Sequence, residues 1–370
     1  MERTAQYVLI SEAKPGSKKT AGSLLYQDIG KLVSEHGDYK ELVIQEIPEL
    51  QAYIDKGWSG ALKYSLTPNK NITSILDEQI PEGATVLVML RGWSHLIMPG
   101  LISLKKKKQL RLVAYDSDGV RSEMLRFKFA FPLILLKNAS YEHHFDFVWA
   151  ASPTLKQHYL DKSIESEMLV KPIEGPIVTR KEPRPEAPDS QKTLNVFFAG
   201  NIYSKGQFDS FLQALGQFAS AKSVRMVLHV CSGDSIESRI PESLTIQHHG
   251  WVTPGELDTI AEQCDFAYLP YPGQFYKRYY LKYAFPTKFG LYVSKGLPVF
   301  YHGPLFRNFD IIDKDSLGVC SDSKNSKELL SKIIDLTALL PKPTVQEALM
   351  HAAEAYTFAS FKRRILQGLK

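Results

Sequence analysis

Short runs rich in β-branched and aromatic residues alternate with longer stretches of helical periodicity along almost the whole chain, and the alternation occurs twice. Strands separated by helices are the pattern of parallel α/β domains, in which helices cover the sheets. In the first half the predicted strands are Tyr7–Ile10, Leu42–Gln45, Thr85–Leu90, Leu110–Tyr115, Phe145–Ala150 and Met168–Val170, with helices such as Ser23–His36 between them. In the second half they are Leu194–Ala199, Arg225–Cys231, Leu244–His248, Phe266–Leu269, Pro298–Tyr301 and Gly318–Cys320. The two sets are separated by KPIEGPIVTRKEPRPEAPDSQK, in which Pro172, Pro176, Pro183, Pro185 and Pro188 each forbid helix continuation. A chain of 370 residues exceeds what one core organises, and no period of about 20 to 50 residues is visible, so two tandem α/β domains are expected rather than a repeat array. The expected boundaries are 1–175, a linker over 176–192, and 193–351. Val345 to Leu369 reads as one long amphipathic helix, with Lys362, Arg363 and Arg364 suited to a helix C-terminus.

Composition excludes several classes. With 44% apolar and 23% charged residues the chain is neither fibrous nor disordered, and a net charge of +5 is too small for a dedicated nucleic-acid binder. Cys231, Cys264 and Cys320 are scattered without CxxC spacing, which argues against structural zinc and for a reducing compartment. The N-terminal apolar run is short and reads as a first strand rather than a signal peptide. Nowhere do about 18 apolar residues follow one another, so a cytoplasmic protein is expected.

The segment FFAGNIYSKGQFDSFLQAL predicts a strand ending at Gly200, a loop with Asn201, Ser204, Lys205 and Gly206, and a helix opening near Gln207. Glycines permit a tight turn, and the free N–H groups of a helix start beside a lysine suit a phosphate anion. The spacing is neither GxGxxG nor a P-loop. Further on, a turn at Gly250–Trp251–Val252 precedes an acidic helix, and Pro286–Thr287–Lys288 opens another helix in which proline fits the first turn and Lys288 adds charge. Trp251 is read either as core or as a ligand face, and His248 and His249 as ordinary turn histidines.

These segments together resemble the C-terminal domain of GT-B glycosyltransferases. The ordered matches over residues 194 to 320 are Gly200–Lys205–Gly206, His249–Gly250–Trp251 before Glu256, Cys264–Asp265 running to Pro270, and Pro286–Thr287–Lys288 with Tyr292 and Gly296–Leu297–Pro298–Val299. The resemblance implies an α/β GT-B fold of two Rossmann-like parallel-sheet domains facing a cleft, with a C-terminal helix, 352–370, returning to the first domain. It implies a nucleotide diphosphate-sugar donor bound by Gly200, Asn201, Lys205, Gly206, Gly250, Trp251, Val252, Pro286, Thr287 and Lys288, with no metal and no cofactor. The family's usual ribose-binding glutamate is replaced by Leu291, and its partner by Tyr283.

In the first half, SEAKPGSKKTAGS follows the first strand, and its Gly16 and Gly22 resemble the flexible loop that in this family meets acceptor or phosphate; Arg91 is a further acceptor-side candidate. LRLVAYDSDGV delivers Asp116 and Asp118 at the end of a strand, where α/β sheets place ligands. Either carboxylate could take a proton from an acceptor hydroxyl, while Asp116 could instead cap the next helix or pair with Arg121. The same Asp-x-Asp-Gly-Val resembles the first motif of haloacid-dehalogenase phosphatases, which would make Asp116 a magnesium-assisted nucleophile. Between Arg91 and Lys137 ten Lys or Arg face three acids, beside the apolar FKFAFPLILL. That combination suits peripheral docking on anionic lipid at the inner face of a membrane; the other reading is a buried helix with a solvated lysine face. QFYKRYYLKYAFPTK, with Lys277, Arg278, Lys282 and Lys288 and no acid, would stack and neutralise a donor or acceptor.

The expected activity is transfer of a sugar to a hydroxyl of a glycan or lipid-linked glycan. The alternatives are the phosphatase, a nucleotide-sugar epimerase that needs no acceptor, and a non-catalytic glycan- or nucleotide-binding protein.

Overall fold

The computed structural model describes residues 5–12, 21–56, 59–60, 70–90, 94–117, 141–173, 192–202, 204–236, 238–271, 282–283, 285–340 and 342–370. They fall into two units. One comprises Met1–Lys171, Tyr283–Phe285 and Phe361–Lys370; the other comprises Pro172–Lys282 and Pro286–Ser360.

The first unit runs β1 (Gln6–Ser11), α1 (Ala21–Ser34), β2 (Asp38–Val43), α2 (Pro48–Ile54), α3 (Lys70–Gln79), β3 (Thr85–Leu90), α4 (Ser94–Lys108), β4 (Arg111–Asp116), β5 (Phe147–Ala150), α5 (Pro153–Leu160) and β6 (Glu165–Met168). Its six strands pair in parallel in the order β2-β1-β3-β4-β5-β6. Alternate residues of the central strands serve opposite faces. Val8, Ile10, Val86, Val88, Leu112 and Ala114 join one buried cluster, whereas Leu9, Leu87, Met89, Val113, Phe147 and Trp149 join another.

The second unit runs β7 (Thr193–Ala199), α6 (Lys205–Lys222), β8 (Arg225–Cys231), β9 (Leu244–His248), α7 (Pro254–Glu262), β10 (Phe266–Pro270), α8 (Thr287–Ser294), β11 (Val299–His302), α9 (Asp310–Lys314), β12 (Gly318–Ser321), α10 (Ser326–Thr337) and α11 (Pro343–Glu354). The parallel order is β12-β11-β10-β7-β8-β9, so the sheet reverses direction between β7 and β10. Ligands of doubly wound sheets bind beyond the strand ends at such a reversal. The core behind it is aromatic: Phe211 stacks on Tyr268 at 3.7 Å between centroids, with Phe198, Phe208 and Phe300 in the same cluster.

The alternation read from the sequence therefore folds as expected, with two differences at sheet edges and one at the C-terminus. β2 begins at Asp38 rather than Leu42, and β6 spans Glu165–Met168 rather than 168–170. Each pairs on one side only, so residues such as Asp38 and Glu41 face water and carry no apolar signal.

The single helix expected over Val345–Leu369 is two, α11 and α12 (Phe358–Leu369). The apolar period runs through both, but Tyr356 between them is buried against Gly290, and its carbonyl accepts the Ile173 N–H at 3.0 Å. Thr357 then starts a new helix by accepting the Ser360 N–H at 3.1 Å. Phe361 and Ile365 of α12 join the cluster around Trp149 in the first unit. Trp149 donates its indole N–H to the Arg364 carbonyl at 3.0 Å, and its ring occupies the space a side chain at Gly368 would need.

Trp149 is fully buried. Trp149→Ala is expected to lower stability by about 3–5 kcal/mol through the cavity it leaves and the loss of the α12 seat. Urea unfolding followed by circular dichroism checks this; an unmoved first transition would contradict it.

Candidate functional site

The C-terminal ends of β7, β8 and β9 and the N-terminal ends of α6 and α8 carry most of the donor-side residues singled out in the sequence. At the end of β7, Gly200 adopts φ +98° and donates its N–H to the Cys231 carbonyl at 2.8 Å. Only glycine takes this conformation without strain. Asn201 is exposed, and Ile202 N–H is received by Asp234 Oδ2 at 2.6 Å. Ser204 is the N-cap of α6, so the helix opens at Lys205, two residues earlier than expected, and Lys205 and Gly206 form its exposed first turn.

Pro286 is the N-cap of α8 rather than its first helical residue, with Thr287 and Lys288 opening the helix. One turn later on the same face, the buried Tyr292 hydroxyl accepts the Ala199 N–H at 3.2 Å. That bond fixes α8 against the end of β7 and lays the Lys288 side chain along Gly200. A Cβ at position 200 would collide with Lys288 Cε and Nζ. The ammonium also lies 5.4 Å from the centroid of the Phe198 ring. Burial pushes the Lys288 pKa down to about 8, with the Asp234 carboxylate acting in the opposite sense.

Neither α6 nor α8 has a side-chain cap bond at its N-terminus. In the same unit α7 is closed by a Thr253–Glu256 capping box and α10 by the Asn325 side chain. The partial positive charge of both helix starts thus lies where β7 ends.

The third contribution comes from beyond β9. Gly250 takes φ +70° and turns the chain so that Trp251 is 78% exposed, which overturns a core role for this indole. Trp251 lies instead against Gly233, where an added Cβ would meet Nε1, Cε2 and Cδ1 of the indole. Val252 is half-buried. His248 Nε2 is 3.1 Å from the Asp234 carbonyl, while His249 stacks on buried His229 with ring centroids 5.4 Å apart. His229 in turn meets Asn195 Oδ1 at 3.2 Å. Burial and the neighbouring His248 hold His249 below the usual imidazole pKa. Both turn histidines therefore have partners within the second unit.

No family model matches the chain, and no curated protein matches it in sequence. Solved structures do match. The apo form of the lipopolysaccharide outer core galactosyltransferase WaaB aligns with 98% of this chain and 99% of its own, at 13% identity and a TM-score of 0.64. An α,α-trehalose-phosphate synthase (UDP-forming) from Burkholderia vietnamiensis aligns over 99% of both chains at 9% identity and a TM-score of 0.59. A putative UDP-N-acetylglucosamine 2-epimerase from Listeria monocytogenes covers 99% of this chain and 96% of its own at 10% identity and a TM-score of 0.53.

The fold is GT-B.

In the first GT-B unit the placement is different. Asp116 ends β4, is 1% exposed, and accepts the Tyr159 hydroxyl at 2.6 Å. Asp118, Gly16 and Arg91 lie outside the described residues, and Gly22 lies in the first turn of α1, which begins at Ala21. Much of the basic stretch is tied down: Lys105 pairs with Asp146 at 2.7 Å, and Lys107 and Lys108 both pair with Asp77. Lys108 also donates to the Ile80 carbonyl at 2.6 Å. These three cations pair with neighbouring chain, while Lys106 and Lys107 remain exposed. The apolar FKFAFPLILL and most of Gln274–Lys288 lie outside the described residues. Among the described residues no helix is long and apolar enough to cross a membrane.

Sequence reasoning missed Asp234 and Gly233, which follow β8 without any motif, and it missed the Tyr292 hydroxyl as the brace of α8.

Because Lys288 loses its proton near pH 8, pyrophosphate is expected to bind best below that pH and to weaken by up to about tenfold per pH unit above it. Lys288→Met is expected to bind weakly at every pH. Calorimetric titration between pH 6.5 and 9.5 checks both; a pH-independent affinity in the native protein would contradict the placement.

Proposed function

We propose that the chain is a glycosyltransferase that moves a hexosyl group from a nucleoside diphosphate-sugar to a hydroxyl of a glycan or lipid-linked glycan. The observation that carries this reading is the convergence of two uncapped helix N-termini and the Lys288 ammonium at Gly200, on a GT-B scaffold. A diphosphate is the ligand whose charge and acceptor count suit two helix ends and a cation.

The reaction breaks the bond between the anomeric carbon and the β-phosphate oxygen and forms one from that carbon to the acceptor oxygen. The electron pair of the broken bond stays on the diphosphate. Charge therefore grows on the β-phosphate in the transition state, where Lys288, Lys205 and the N–H groups opening α6 and α8 stabilise it. In this reading their fixed positive charge does the work that a metal ion does in GT-A transferases. Trp251, exposed and close to Gly233, offers the base a face, with Gly250 and Val252 completing the turn. Asn201, Thr287 and Gly206 line the phosphate side.

The acceptor's proton needs a base in the first unit. Asp116 is buried under the Tyr159 hydroxyl, so Asp118, just beyond it, is the carboxylate we assign to that role, with Asp116 acting as a positioning residue at the end of β4. The same burial argues against Asp116 as a phosphatase nucleophile. β1 and β3 end side by side at the reversal of the first sheet, immediately before the segments that carry Gly16 and Arg91, which we assign to the acceptor. The GT-B likeness extends to an epimerase, so interconversion of free donor without acceptor is the competing reading.

The test is release of nucleoside diphosphate from a panel of UDP-, GDP-, CDP- and dTDP-sugars, with and without glycan acceptors. Lys288→Ala is expected to lower kcat/KM by about 100-fold or more, the scale of losing one transition-state charge contact. Unchanged kinetics in that variant would sink the assignment, and epimerised donor formed without acceptor would establish the rival.

A further inference from the structure

Asp234 follows β8, and its carboxylate and carbonyl meet the turns after β7 and β9. β7 and β8 pair in register from Thr193↔Arg225 to Ala199↔Cys231, so the residues just beyond β8 stand beside Gly200. Read from the reversal point outwards, β7 and β8 are the first and second strands of a six-strand doubly wound sheet. In dinucleotide-binding sheets of this order the phosphates meet the turn after the first strand, and an acidic residue near the end of the second takes the ribose hydroxyls.

The local geometry supports the same division of labour. Asp234 joins the turns that follow β7, β8 and β9: its Oδ2 accepts Ile202 N–H at 2.6 Å, its own N–H is given to Ser232 Oγ at 3.0 Å, and its carbonyl faces His248 Nε2 at 3.1 Å. Asp234 is half-buried, and its second carboxylate oxygen, Oδ1, makes no hydrogen bond among the described residues. The preceding residue, Gly233, carries the Trp251 indole, and on the other side the carboxylate acts electrostatically on Lys288. An ionised carboxylate only accepts hydrogen bonds and repels phosphate. Along a nucleotide the sugar diol is the neutral donor that lies between the base and the phosphates, as Asp234 lies between an aromatic face and a phosphate-binding cation.

We propose that Asp234 binds the 2′- or 3′-hydroxyl of the nucleotide ribose, and that a 2′ contact makes this site selective for ribonucleotides. The proposal rests on the reading of the second unit as a nucleoside diphosphate site. It also assigns the ribose contact in a chain whose Leu291 and Tyr283 cannot supply it through a carboxylate.

The test is calorimetric binding of UDP, GDP, CDP and ADP, alongside dTDP, followed by the 2′-deoxy and 3′-deoxy forms of whichever of the four binds. Native protein is expected to lose about ten- to hundredfold in affinity when the contacted hydroxyl is removed, the scale of a hydrogen bond to a charged group. Asp234→Asn, which keeps an oxygen for Ile202, is expected to bind the ribo form and that deoxy form within about twofold of each other. If the native protein binds ribo and both deoxy forms alike, Asp234 serves only the loops and Lys288, and the proposal is overturned. It is overturned equally if Asp234→Asn weakens ribo and deoxy forms by the same factor. Failure of all four nucleotides and of dTDP to bind native protein would instead bring down the donor reading and this proposal together, whereas binding of dTDP alone would overturn this proposal and leave the donor reading standing.

Discussion

The second unit is organised around one contact, a largely desolvated lysine laid along a glycine. Lys288 can occupy that place only because Gly200 has no side chain and takes φ +98°, and because the Tyr292 hydroxyl fixes α8 to the backbone of Ala199 one turn away. Burying an ammonium costs several kcal/mol unless something answers its charge. Here the Phe198 ring and the Asp234 carboxylate lie beside the ammonium, and burial still pushes its pKa down to about 8. A bound anion would favour the charged form. The cost of holding the cation is thus tied to the affinity for an anionic ligand.

The ends of α6 and α8 act in the same direction. Where α7 and α10 are capped by a side chain, α6 and α8 have no side-chain cap bond. Their charge is fixed by the fold and needs no reorganisation as negative charge grows on a leaving diphosphate. Asp234 gives the arrangement polarity, because its carboxylate would repel phosphate on the side towards Gly233 and Trp251 while the cation attracts it at Gly200.

Much of this was legible in the sequence because it rests on backbone chemistry. The twelve strands follow from alternating apolar runs, and Gly200, Gly250 and the Pro286–Thr287–Lys288 helix start are local signals that survive without a structure. What escaped depends on side chains meeting across the fold. Asp234 is one acid in a polar turn until the β7–β8 register sets it beside Gly200, and the hydroxyl of Tyr292 has no pattern of its own. In one dimension nothing marks that Lys105, Lys107 and Lys108 of α4 pair with Asp146 and Asp77. The C-terminal helix divides because Tyr356 is claimed by Gly290 and Phe361 by the cluster around Trp149, a competition that periodicity does not record.

The central claim is that Lys288 and the N-termini of α6 and α8 together hold a diphosphate at Gly200. A crystal structure of the full chain with a bound nucleoside diphosphate, grown in a chelator, tests it most directly. The β-phosphate is expected within hydrogen-bond distance, about 2.7–3.2 Å, of Lys288 Nζ and of a backbone N–H opening α6 or α8. A diphosphate seated elsewhere, or one that enters only with a divalent metal, would contradict it.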